Sequence, residues 1–461
     1  MFREIKNITL LLAFSLCVSL SCSKDENFSY KRSDNTSAVT TKTVSATVKD
    51  RSVMLLYSAG FNDLCGYLED DIEELSQGFV PREGMEDNLE GNRAGGTQEN
   101  VLLVFSRIAY GIRNTTPVKS ALFRIYRKAD DTVVRDTIKV WEADVHSCSK
   151  ETMSEVLTLA HEKFPSNRFG MVFSSHASGW LPCGYYSDPS KYYNGSSGDI
   201  WSTFSLKRGT DYFPPLEDFP AVKSIGQDKY ATMSVEFTLK DFADAIPFKL
   251  DYLLIDACLS GGVEVAAQLR GKADIVGFSL TEVLADGFNY KTIVSRLLSA
   301  KPDPVAVCRD YYESYIVRSG YQQSATISVV DTREMDDLIS LCRTLFEKYR
   351  ISINNLNGFS VQGYFRYNRH YFYDLEDILV KAGITADEKA ALDKALSKCV
   401  VYCAATPWFM HGYTDNFEIK TFCGLSMYLP SQLILSSAER AYLDSYYKAN
   451  IAWNTETELV K

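Results

Sequence analysis

Apolar residues fall along the chain in short runs divided by polar turns. Residues 53–57, 101–105, 169–174, 252–255 and 275–280 are nearly continuous in Val, Ile, Leu, Met, Phe and Tyr. Runs this short and this apolar predict strands buried on both faces. Residues 121–126 and 137–141 predict further strands. Between them lie helix patterns. One starts at Asn62 or Asp63 as cap and runs to about Ser76. Others cover 149–163, capped by Ser149, then 239–246 and 261–269. Strands alternating with helices argue for a mainly parallel sheet covered on both faces, an α/β fold. From about 302 to 396 the pattern is mostly helical, with late strands at 400–403 and 424–429. No internal repeat is present.

The ends of the chain add a compartment. Arg3 and Lys6 precede an apolar run, Ile8 to Leu20, which stops at Ser21-Cys22-Ser23. A basic start and a short apolar stretch predict a secretory signal rather than a membrane span. A Cys at this place looks like a lipoprotein processing site, with Cys22 as the lipidated residue; ordinary signal cleavage is the alternative. The expected location is the bacterial cell envelope, lipid-anchored at the outer membrane or cell surface. No later stretch is apolar for the ~18 residues a span requires. Residues 22–50 are rich in Ser, Thr, Lys and Asp and read as a flexible tether. Residues 51–300 then form the expected core, and 301–461 a mostly helical addition whose late strands complete the fold. Residues 181–232 are rich in Tyr, Gly, Ser, Asp and Pro without periodicity, and predict a long functional loop.

Composition narrows the function. Of 461 residues, 46% are hydrophobic and 23% charged, which excludes global disorder, collagen and coiled coil. With 49 basic against 59 acidic side chains, the net charge of -10 disfavours nucleic acid as a partner. Cys17 and Cys22 belong to the export signal, and the odd remainder of nine cysteines contains no CxxC pair. Cys399 and Cys403 have no neighbouring His or Cys to complete a zinc set. The cysteines read as small buried hydrophobes, and no metal site is expected.

Working residues of open α/β sheets sit past the carboxyl ends of strands. Two predicted strands end in reactive chemistry. One continues into Ser174-Ser175-His176-Ala177-Ser178-Gly179-Trp180, the other into Asp256-Ala257-Cys258-Leu259-Ser260-Gly261-Gly262. A thiol beside an imidazole is an activated nucleophile. A helix starting near Gly261 would favour the thiolate through its dipole. If the strand continued to Cys258, Asp256 would share its face. A carboxylate there disfavours thiolate, so its better use is to bind a cationic substrate side chain. His411-Gly412 is the rival imidazole. His146, His161 and His370 read as structural or surface residues, and Trp180 as packing.

These two turns resemble those of the clostripain family of cysteine peptidases, in the clan of caspases, legumains and gingipains. The similarity extends to Ser52–Leu64 with its Asn-Asp-Leu turn, to Phe164-Pro165 through Trp180, to Ser279–Tyr290 with Glu282, and to Gly424–Pro430. Ala177 stands where the family usually has Gly, and Ser175 where an acid often precedes the His. The resemblance implies a three-layer α/β/α caspase-like sandwich and cleavage after Arg or Lys in protein or peptide substrates. It implies Cys258 as nucleophile, His176 as proton donor, and the backbone N–H groups of Ala177 and Cys258 as oxyanion donors. Asp256 and Asp286 would line the pocket for the basic side chain. Some relatives cut themselves between the His and Cys strands, which makes Lys207-Arg208 the candidate processing site. No redox cofactor is implied; some relatives need calcium, but no EF-hand loop is present. Two other readings compete. One is a weakened relative that binds peptides. The other is a surface lipoprotein that captures glycans or other nutrients with its 28 Tyr and 5 Trp.

Overall fold

The five apolar runs lie side by side at the centre of a nine-stranded sheet in the computed structural model. It describes residues 49–461 except 84–87, 90–91, 94–99, 110–115, 187, 194–224, 231–233, 367–369 and 432. Cys22, Lys207 and Arg208 lie outside the described residues. The sheet strands are β1 (Lys49–Gly60), β2 (Val101–Ile108), β3 (Ser120–Arg127), β4 (Val133–Trp141) and β5 (Ser166–Ser174). They continue with β6 (Leu250–Asp256), β7 (Ala273–Phe278), β8 (Thr326–Asp331) and β9 (Val400–Ala405). Their spatial order is β9-β8-β7-β6-β5-β1-β2-β3-β4. The pairs from β7 through β2 are parallel, and only β3 and β8 run against the common direction.

Alternate residues of each central strand serve opposite layers. Leu55 and Tyr57 of β1 and Phe173 of β5 face one core. It is shared with α2 (Lys150–Lys163), α3 (Leu239–Asp244), α4 (Val263–Leu269), α7 (Met335–Asn354), α8 (Leu375–Ala382) and α9 (Ala386–Cys399). Met54, Leu56 and Val172 face the other core, closed by α1 (Cys65–Gln77), α5 (Tyr290–Leu297) and α6 (Pro304–Ile316). This is the three-layer α/β/α arrangement, and residues beyond 300 add helices to it. Close packing fixes the register at Gly170 on β5, where a Cβ would drive into the Tyr252 ring of β6. Ser149 caps α2 as expected, accepting from the Thr152 N–H at 3.2 Å.

Three local expectations differ. The helical reading of 302–396 hides β8, a six-residue strand buried throughout. A short apolar run does not reveal by periodicity whether it is strand or helix. Of 424–429, only Ser426–Met427 is a strand, paired with Tyr373–Asp374. The rest spends its backbone on other partners. The Leu425 carbonyl accepts from the Leu375 N–H at 3.1 Å, and the Tyr428 N–H reaches Glu264 Oε1 at 2.8 Å. Within 181–232, Ile225–Lys229 forms a hairpin with Ser234–Phe237. A buried Arg107–Asp228 ion pair of 2.6 Å ties that hairpin to β2.

Candidate active site

Four neighbouring strands, β1, β5, β6 and β7, point their carboxyl ends to one edge of the sheet. Each is followed by a turn that carries a polar group: Asp63, His176, Cys258 and Glu282. Ser174 of β5 pairs with Asp256 of β6, so His176 and Cys258 each lie two residues beyond paired positions. The fold therefore brings the two turns together across 82 positions of sequence. His411 is exposed and follows edge strand β9, remote in strand order from β6.

The His176 turn is braced from both sides. Ser175 Oγ donates to the Ala59 carbonyl at 2.7 Å, and the Gly226 N–H donates to the His176 carbonyl at 2.8 Å. The imidazole is fully buried, with Nε2 at 2.9 Å from Asp63 Oδ1. Asp63 was expected as a candidate helix cap. Instead α1 begins at Cys65, Asn62 Oδ1 accepts from the Leu64 N–H at 2.8 Å, and Asp63 turns to His176. Burial raises the Asp63 proton affinity, but the hydrogen bond and charge of His176, with Lys229 behind, outweigh it. The carboxyl is held well below the usual carboxylate range. The signal for Asp63 was its position just past the first strand, inside the Asn-Asp-Leu turn.

The Cys258 turn is tight. Leu259 has φ 55°, the left-handed region that β-carbon-bearing residues avoid at a cost of about 1–2 kcal/mol. The Leu259 N–H donates to Thr281 O at 2.8 Å and the Gly261 N–H to Ser279 O at 2.7 Å, which hold this conformation. Ala177 is not among the positive-φ residues, so its Cβ brings no backbone strain. Among the described residues neither the Ala177 nor the Cys258 N–H has an acceptor within the chain.

Cys258 is 4% exposed, and the Val283 N–H donates to its Sγ at 3.3 Å. Burial pushes the thiol pKa up, and Glu282 adds to this; the Val283 N–H and Arg366 oppose it. The expected dipole effect of the following helix does not prevail, because α4 starts only at Val263 and desolvation dominates. Glu282 forms a buried, two-point ion pair with Arg366, through Nε and through Nη2 at 3.0 Å to Oε1. Arg366 was not singled out in the sequence; nothing local marks it.

Asp256 ends β6, so the strand does not carry on to Cys258. Its carboxylate turns toward the layer of α5 and α6. Oδ2 accepts from the Phe288 N–H at 3.1 Å and from Tyr290 Oη at 2.9 Å. A Cβ on Gly287 would collide with this carboxylate. Burial raises Asp256 to about 6, against the lowering effect of both hydrogen bonds. Asp286 lies on the same turn, 64% exposed, and pairs with Arg318 at 2.7 Å. Asp71 of α1 is a third, buried carboxylate; burial and then Asp256, Glu74, Asp70 and Asp286 push it well up.

All nine described cysteines are free, seven of them buried. His146 and His370 bond to Tyr230 and Tyr373, at 2.6 and 3.1 Å, and His161 packs on Phe248. Trp180 is buried against Tyr428 and Tyr447. Tyr321 and Phe359 are the only exposed large aromatics among the described residues, and glycan capture requires a cluster of them. Among the described residues no group of three or more His, Cys, Asp or Glu is arranged to hold a metal ion. No helix among them is long and apolar enough to cross a membrane.

Comparisons with known proteins bear on the fold and the family. The solved structure of an inactive zymogen C11 protease from Parabacteroides distasonis is 24% identical. It covers 90% of this chain and 99% of its own, with a TM-score of 0.66. A secreted C11 cysteine protease from Bacteroides thetaiotaomicron, solved with an irreversible peptide inhibitor, is 22% identical. It covers 89% and 99%, with a TM-score of 0.65. At these identities the likeness shows the fold. No curated protein matches the chain. The model of the clostripain family, Peptidase C11, matches residues 56–206 and 209–459. With most of its length matched, the chain belongs to the clostripain family of cysteine peptidases.

Proposed function

We propose that the protein is an endopeptidase that cleaves after Arg or Lys through Cys258 and His176. The observation that carries this reading is the Ser174–Asp256 register, which sets the His176 and Cys258 turns at adjacent strand ends. Cys258 Sγ attacks the peptide carbonyl, and the oxyanion is received by the N–H groups of Cys258 and Ala177. His176 gives a proton to the leaving amine, and a thioester remains on Cys258. Water, deprotonated by His176, then hydrolyses the thioester and restores the thiol. Asp63 is a positioning residue that fixes the imidazole and favours its protonated form. Asp256 receives the cationic side chain, with Asp286 at the exposed side of that pocket. No step requires a redox cofactor or a metal.

The buried thiol and imidazole support a closed resting form. Cleavage at Lys207-Arg208 is the proposed opening step, and a chain that stays one band on a gel during prolonged incubation would refute it. Lipidation at Cys22 is proposed as the anchor. It is tested by labelling cells with a fatty-acid analogue beside a Cys22→Ala variant.

The deciding assay uses the purified, reduced protein on fluorogenic peptides ending in Arg, Lys, Asp, Asn or Leu, beside Cys258→Ala. Cleavage after Arg or Lys that is lost in the variant is the expected result. Cleavage after another residue would remove the roles of Asp256 and Asp286. No cleavage, even after nicking of the 181–232 segment, would favour peptide binding without turnover.

A further inference from the structure

One acid of the proposed pocket, Asp286, is already paired with a cation of the chain's own. Arg318, just past the end of α6, places Nη1 at 2.7 Å from Asp286 Oδ2. Its guanidinium lies 4.1 Å from the Tyr315 ring centre, and Nε donates to Ser314 O at 3.1 Å. Tyr315 in turn packs on Tyr311, with ring centres 4.7 Å apart, and Tyr311 packs on Phe288 at 5.3 Å. Arg318 is therefore fixed by a ring, a carbonyl and a carboxylate. An exposed pair held by charge alone would contribute little. Burial raises the Tyr315 phenol first, then Asp286, with Arg318 opposing and Asp256 and Asp71 adding to it. The geometry joins them: Tyr315 Oη donates to the Gly287 carbonyl at 3.4 Å, and Gly287, which follows Asp286, lies against the Asp256 carboxylate.

What remains for a substrate is narrow. Both hydrogen bonds to Asp256 end on Oδ2, which leaves Oδ1 as the oxygen to meet a ligand. A Lys ammonium is a compact charge that a single oxygen can receive. An Arg fork is best matched by two acceptor oxygens, and it is bulkier. The second carboxylate that would serve such a fork, Asp286, is engaged by Arg318. We propose that Arg318, by occupying Asp286, makes this pocket select Lys over Arg at the residue before the scissile bond. The inference rests on the basic-specificity reading above and deepens it.

The test compares kcat/KM on two fluorogenic peptides identical but for a terminal Lys or Arg. It uses the wild-type protein, Arg318→Met, which keeps a long apolar stem, and Arg318→Lys, which keeps the charge. The wild type is expected to favour Lys by about tenfold or more. Arg318→Met should raise cleavage after Arg by about tenfold while cleavage after Lys stays within about threefold. Arg318→Lys should keep the wild-type ratio. A wild-type protein that cleaves both peptides equally, or prefers Arg, overturns the inference and leaves the basic specificity standing. So does an Arg318→Met protein that melts like the wild type and keeps its ratio. If Arg318→Met does not fold, the wild-type ratio decides alone. Cleavage after neither residue overturns this inference and the specificity reading together.

Discussion

Asp63→Asn isolates the charge behind the imidazole. The substitution keeps an oxygen that can accept from His176 Nε2, so only the negative charge is removed. At the observed 2.9 Å, two unit charges attract by about 6 kcal/mol at an effective dielectric constant of ~20. Desolvation of the half-buried carboxylate offsets much of that. Hydrogen bonds to charged groups retain about 1.5–3 kcal/mol. If that energy supports the imidazolium that protonates the leaving amine, kcat/KM falls roughly 10- to 150-fold. The loss should sit in kcat, with KM little changed, because Asp63 is argued to act through His176. The pH dependence of kcat/KM should also shift, because the Asp63 charge no longer acts on the imidazole. Steady-state kinetics from pH 5 to 9 read both effects. Stability supplies an independent check. Asp63 is held below its ordinary value, so its contribution is fully present above pH ~4 and disappears as pH falls through the lowered value. The melting difference between wild type and Asp63→Asn should be largest near neutrality and shrink below pH ~4. Activity of Asp63→Asn and Asp63→Ala within about threefold of wild type, with unchanged pH profiles, would refute the positioning role.

Other expectations follow from the same structure. Asp256 is raised to about 6, so it is neutral and unable to hold a cation at lower pH. Competitive inhibition by butylammonium, whose own charge is constant in this range, should tighten through pH 6; an inhibition constant that is flat from pH 5 to 8 would remove Asp256 from the pocket. Glu264 is buried at about 7, accepts from the Tyr428 N–H and from Tyr447 Oη at 2.7 Å, and leaves Oε2 without a partner among the described residues. Its raised value means a stability contribution present below pH ~4.5 and lost as pH rises through 7, so the wild type should lose melting temperature relative to Glu264→Gln between pH 5 and 8. Gly170→Ala puts a methyl into the Tyr252 ring and should cost about 1–3 kcal/mol in denaturant melts, partly recovered by Tyr252→Leu.

The sequence alone determined the elements whose signal is local. Five continuous apolar runs define the central strands, because burial on both faces leaves no polar alternation. The His176 and Cys258 turns are legible because reactive residues directly follow such runs. Tertiary structure decided what those residues meet. Asp63 and His176 are 113 positions apart, Glu282 and Arg366 are 84, and Asp286 and Arg318 are 32. None of these pairs has a spacing signature, since each depends on strand order and register. The direction of the Cys258 pKa was likewise beyond the sequence. A helix dipole can be anticipated from a glycine turn, but desolvation is set by everything packed around the thiol, and here it is the larger effect. Asp256 and Asp286 were visible in the sequence. That Arg318 pairs with Asp286 was settled only by the fold.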